Sequence, residues 1–159
     1  MQQQYIHLFS PITIRGVEFR NRIFSVPIDF PHAGGGECPT PQTIELFANR
    51  ARGGAAQVVV GGGLIDRGMA FNPPPNYSLD NPETFTTYKE LAMAIKENGA
   101  VASMELMTGM VRVKGAEDIG QLFEANPAVM AMTETEMDEL AEKYANAALF
   151  SVRAGFEML

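Results

Sequence analysis

Two carboxylates interrupt or close apolar runs. Glu105 sits inside Ala100-Val101-Ala102-Ser103-Met104-Glu105-Leu106-Met107, and Asp29 follows Phe24-Ser25-Val26-Pro27-Ile28. An unpaired charge in an apolar interior is costly, so each must meet solvent, a hydrogen-bonding partner or a ligand. Two glycine clusters, Gly34-Gly35-Gly36 and Gly61-Gly62-Gly63, are further candidates. Neither has the spacing of a dinucleotide fingerprint, since a count begun at Gly61 puts Asp66 where the last glycine belongs, and no Gly-Lys-Ser/Thr forms a nucleotide loop. The first cluster reads as a loop. In the second, the missing side chains admit close approach by a backbone or by a planar cofactor, and both explanations stand. His32 lies near Cys38, but no third ligand joins them at a recognisable spacing, so no metal site is expected. Cys38 has no neighbouring Lys or Arg to lower its pKa and reads as an inert thiol; His7 reads as a surface residue. No serine triad can be assembled.

The background composition is that of a globular domain: 159 residues, 46% apolar and 19% charged. Twelve Lys and Arg against 19 Asp and Glu give a net charge of -7, which offers nothing for phosphate backbones or anionic membranes to bind. Nucleic acid and membrane partners are therefore not expected. One cysteine excludes an internal disulfide or a thiolate cage. The start, Met1-Gln2-Gln3-Gln4-Tyr5, has neither a basic flank nor an apolar stretch of signal-peptide length, and a cytoplasmic location is expected.

The elements that must position these residues show in a loose repeat. Three times a helical segment ends in a charged residue and glycine before an apolar run: Arg52-Gly53-Gly54, Lys96-Glu97-Asn98-Gly99 and Arg153-Ala154-Gly155. Each is the pattern of a helix ended by a left-handed glycine before a buried strand. Thr40-Pro41 starts one helix, with Ile44, Phe47, Ala48 and Ala51 inward. Asn81-Pro82 starts a second, with Phe85, Tyr88, Leu91, Ala92 and Ile95 inward. Thr133 and Glu136 have capping-box spacing for a third, whose stripe would be Met137, Leu140, Ala141, Tyr144 and Ala148.

Strands are expected at Arg22 to Ile28, Gln57 to Gly61, Ala100 to Met107 and from Phe156 onward, parallel and joined by right-handed crossovers. Ile12-Thr13-Ile14 and Val17-Glu18-Phe19, separated by Arg15-Gly16, read as a hairpin that would plug one end of a barrel. Long connections, Asp66 to Asp80 and Thr108 to Met132, follow strands, where barrel ligand loops lie. The fold expected is α/β: a partial β/α (TIM) barrel made of the hairpin, about three β/α units and the start of strand four.

Several segments together resemble the old yellow enzyme family of FMN-dependent, 2,4-dienoyl-CoA-reductase-like NADH:flavin oxidoreductases. They are Leu8-Phe9-Ser10-Pro11-Ile12, Asn21-Arg22-Ile23, Arg50-Ala51-Arg52-Gly53-Gly54, Met132-Thr133 and Ala154-Gly155-Phe156, in order along nearly the whole chain. The resemblance implies a β/α barrel with FMN at its mouth, NAD(P)H as reductant, and an unsaturated carbonyl or thioester as small-molecule substrate. By position, Val26, Pro27, Ile28 and Asp29 resemble the segment that runs along the flavin. Gly62 resembles the small residue that lets the ring approach, and Glu105 falls where the family has a glutamine on the flavin's pyrimidine edge. The chain departs from the pattern at three places. Asp29 replaces a Thr or Cys, Glu105 accepts but does not donate when ionised, and Thr108-Gly109-Met110-Val111 stands in place of His-x-Gly-Arg.

The resemblance further implies that the pair binding the substrate carbonyl follows the fourth strand, so no catalytic residue is assigned within the chain. A complete barrel takes about 250 residues. The expectation is therefore that residues 1–159 are the amino-terminal half of a single β/α-barrel domain, truncated at the C-terminus. As given, the chain is expected to be inactive, while its full-length form could be a homo-oligomer. Two alternatives stay open: a non-catalytic α/β binding module, and a degenerate half-barrel that needs a partner.

Overall fold

The computed structural model describes residues 5–28, 38–66, 78–108 and 132–159. Asp29, His32, the Gly34-Gly35-Gly36 cluster and most of the two long connections, including residues 109–131, lie outside the described residues. A four-residue helix, α1 (Ile6–Phe9), precedes the antiparallel hairpin of β1 (Ile12–Ile14) and β2 (Val17–Phe19), in which Ile12 pairs with Phe19. Its two-residue turn puts both Arg15 and Gly16 at positive φ, 48° and 85°, the backbone that matches the twist of a tight hairpin.

The main sheet is parallel, in the order β3 (Phe24–Ile28), β4 (Gln57–Leu64), β5 (Val101–Met107). Met158 forms a parallel bridge to Ser103, and the amide of Met104 donates to the Met158 carbonyl at 3.0 Å, so the chain's last residues occupy the fourth position. Helices α2 (Pro41–Arg52), α3 (Phe85–Glu97, entered through a 3₁₀ turn at Pro82–Thr84) and α4 (Glu134–Ala154) cover one face. The start signals work as local chemistry dictates. Thr40 accepts from the Thr43 amide and Asn81 from the Glu83 amide, while Thr133 and Glu136 close a full capping box. Those hydrogen bonds hold the exposed Glu136 carboxyl below its usual range. Gly54, Gly99 and Gly155 all have φ between +77° and +110°, as the repeat requires.

The core between sheet and helices joins Val58, Val60, Ala102 and Met104 to Phe47, Ala51, Tyr88, Leu91, Ile95 and Ala147. Phe150 of α4 stacks edge-on against both Phe85 and Tyr88, at 5.4 and 5.5 Å. The expected stripe of α4 is met in part, since Leu140 and Tyr144 pack against the core. Met137 is 52% exposed and Ala141 is exposed, whereas Ala147, Ser151 and Ala154 are buried. A helix of 21 residues runs about 31 Å, and a strand of seven about 23 Å. The first turn of α4 overhangs, and its contacts with the core run from Leu140 to Ala154.

A second cluster, Phe19, Ala56 and Val101 with Ile12, Ile14, Val17 and Met158, seats the hairpin against the N-terminal ends of the strands. Arg20, just after the hairpin, donates to the carbonyls of Ala51, Ala55 (2.8 Å) and Asn98 (3.1 Å). One guanidinium thereby ties the C-terminal ends of α2 and α3, where the helix dipole favours a cation. Asn21 adds a bond from its amide to the Gly54 carbonyl and accepts from the Ile23 amide.

Candidate functional site

The hairpin closes the N-terminal ends of the strands, which leaves their C-terminal ends for a ligand. Two register slips concentrate there. From Ser25↔Val58 to Ile28↔Val60, β3 uses three steps against two on β4, so one extra residue falls at Val26-Pro27. Proline lacks the N–H that a regular ladder requires, which places the bulge at this point. From Val60↔Met104 to Gly63↔Leu106, β4 uses three steps against two on β5, and the extra residue falls at Gly61-Gly62. Gly62 takes φ +74°, the left-handed conformation that glycine adopts without strain.

The glycine run divides by role. A Cβ on Gly61 would lie 2.8 to 2.9 Å from the Ile28 backbone, and one on Gly63 would lie 2.5 Å from the Glu105 carbonyl. Close approach at these two positions is therefore made by neighbouring strands. Gly62 differs: its N–H, released by the bulge, donates to Glu105 Oε2 at 3.2 Å.

Alternation along β5 sends Ala102 and Met104 into the helical core and Ser103 and Glu105 to the opposite face. Register aligns Val59 with Ser103 on that face, and Val26 follows Ser25, whose partner Val58 is in the core. The strand ends thus bring together Val26 (69% exposed), the exposed Pro27, Gly62 and the exposed Glu105. Ile28 sits beside them on the Gly61 backbone and pairs with Val60 in register. Asp29 lies outside the described residues. Apolar surface across the middle and a hydrogen-bond acceptor at one side suit a planar ring with an apolar body and a polar edge, and FMN has that chemistry. The sequence marked Gly62 and Glu105 separately. Their bond to each other was not visible there, because it depends on the slip between two strands.

A concavity of about 680 Å³ lies on the helical side between the end of β4 and α4, lined by Leu79, Phe85, Asn146, Phe150 and Arg153 among others. At its rim Lys143 pairs with Asp66, and that bond holds the Lys143 ammonium above its usual range. None of Val26, Pro27, Ile28, Gly62 or Glu105 lines it. Among the described residues no group of three metal-ligating side chains occurs, and no helix is long and apolar enough to cross a membrane.

An open parallel sheet with helices on one face and a plug at its base is part of a β/α barrel, and known proteins of that fold match the chain. Old Yellow Enzyme from Pichia sp. AKU4542 superposes with a TM-score of 0.76 at 16% identity, over 96% of this chain and 44% of that one. The sequence profile of the NADH:flavin oxidoreductase / NADH oxidase family matches residues 7–159, and the chain belongs to that family, whose members are FMN-dependent NADH oxidoreductases. A metal reductase of Desulforamulus reducens is 33% identical over 161 residues, covering 94% of this chain and 23% of the relative. A cinnamate reductase of Clostridium sporogenes is 26% identical over 175 residues, covering 99% and 26%. The chain spans about a quarter of the length of these two relatives.

Proposed function

We propose that the chain is the amino-terminal part of an FMN-dependent oxidoreductase that passes hydride from NAD(P)H through the flavin to an activated alkene, an unsaturated carbonyl or thioester. The observation that carries this is the meeting of Pro27, Gly62 and Glu105 at the open strand ends, on the face away from the helices. The family membership and the reductases among the relatives support the reaction type. FMN, when bound, supplies the two-electron chemistry. Val26, Pro27 and Ile28 would offer it an apolar edge, Gly62 would leave space for the ring, and Glu105 would accept a hydrogen bond from its polar edge.

The test is to purify the protein at its natural length and record its visible spectrum. Bound flavin is expected, bleached by NADH or NADPH and restored by an α,β-unsaturated carbonyl. A colourless protein that takes up no added FMN would overturn the proposal. A flavin reduced by nicotinamide but not reoxidised by any alkene would leave the cofactor assignment standing and remove the substrate class.

A further inference from the structure

Glu105 is held by an unusual donor. Its Oε2 occupies the N–H that the β4 bulge withdraws from the ladder, so the carboxylate is fixed in place by backbone while its residue remains exposed. Among the described residues no Lys or Arg forms an ion pair with it, and no second hydrogen bond engages it. A carboxylate oriented at a ligand site, with no ion pair among the described residues, discriminates by charge and by donor. It accepts from an N–H and repels an anion, and the repulsion is stronger where the site is shielded from water.

Resting on the FMN assignment above, we propose that Glu105 sets the oxidation-state preference of the site. It accepts from the imide N–H of the neutral, oxidised isoalloxazine and opposes the negative charge that the ring gains on reduction. Hydride from NAD(P)H brings two electrons and one proton, so a neutral ring ends with one added negative charge and the nicotinamide leaves as the oxidised cation. Glu105 therefore lowers the midpoint potential relative to a neutral residue that makes the same bond. Its role toward the reaction is one of tuning, and no proton passes through it.

Glu105→Gln keeps an acceptor for the Gly62 amide and removes the charge. In the natural-length holoprotein, the variant is expected to bind reduced FMN more tightly relative to oxidised FMN by about tenfold, which is a rise of about 30 mV in the two-electron potential. Both quantities are read by flavin fluorescence titration and by reduction against a reference dye. A second measurement needs no substitution: FMN methylated at the imide nitrogen lacks the donor, and the unaltered protein is expected to bind it at least tenfold more weakly than FMN. Flavin bound with equal potentials in both proteins, or methylated and ordinary FMN bound alike, would overturn the role of Glu105 while leaving the flavin assignment intact. Failure of both proteins to bind FMN at all would overturn the assignment itself and this inference with it.

Discussion

Three successive glycines serve three different purposes at the end of β4. Gly61 and Gly63 lie against neighbouring backbone, and Gly62 supplies a left-handed turn and the N–H that Glu105 accepts. A methyl at Gly63 would meet the Glu105 carbonyl at 2.5 Å, the Met104 sulfur at 2.9 Å and Leu79 at 3.0 Å. The carbonyl cannot yield without moving β5, so Gly63→Ala is expected to destabilise by about 1–3 kcal/mol as an overpacked site. Because it displaces the Glu105 backbone, it should also weaken flavin binding. Urea unfolding with an unchanged slope and a lowered midpoint is the check, and a midpoint equal to the parent's would show that the strand ends are looser than described. The carboxylate and the glycine run were legible in the sequence as departures from an apolar pattern. Their mutual bond was not, since register between parallel strands is decided by tertiary contacts and by a bulge at a residue that looks the same as its two neighbours.

The elements were legible wherever their ends carry local chemistry. Thr40-Pro41, Asn81-Pro82, Thr133 with Glu136, and the glycines that follow each helix all perform as their types require. The face of α4 was legible at Leu140 and Tyr144, but not how far it reaches, because Met137 fits a helical stripe whether or not a partner lies opposite it. The helix is also seated by the docking of Phe150 on Phe85 and Tyr88, a contact between residues 62 to 65 positions apart. Arg20 was likewise silent in the sequence, yet it ties two helices through three carbonyls. Hydrogen bonds from charged donors contribute more than neutral ones, and Arg20→Ala is expected to cost about 2–3 kcal/mol. Arg20→Lys should recover less than half of this, because a point ammonium cannot match a planar fork across three acceptors. Chemical denaturation of the three proteins decides it. Equal stability of the Ala variant would mean that the Gly54 and Gly99 turns hold the helix ends by themselves.

At the scale of the molecule, the described strands form an open arc. β3 is paired on one side only, with Phe24 42% and Val26 69% exposed, and on the outer layer Leu149 and Val152 of α4 are 47% and 56% exposed. A closed barrel has no such edges, and a strand edge left bare is a template for further pairing. Under the proposed assignment, Glu105, Gly62 and Pro27 would offer a flavin one side of a site. The chain covers 44% of the Old Yellow Enzyme chain, and on the same proposal additional barrel strands would complete the site. If the proposed assignment holds, the 159-residue chain produced alone should give no NAD(P)H-dependent alkene reduction and should bind FMN far more weakly than the natural-length protein. It should also elute larger than a monomer, because its bare edge and apolar helix face find each other. The measurements are turnover with an α,β-unsaturated ketone, flavin titration, and size exclusion with light scattering. Turnover by the chain alone would show that half an arc of strands suffices for the chemistry. A monodisperse monomer with no flavin affinity would instead favour the non-catalytic binding module, since a chain stable without the remaining strands has no need of a barrel to complete it.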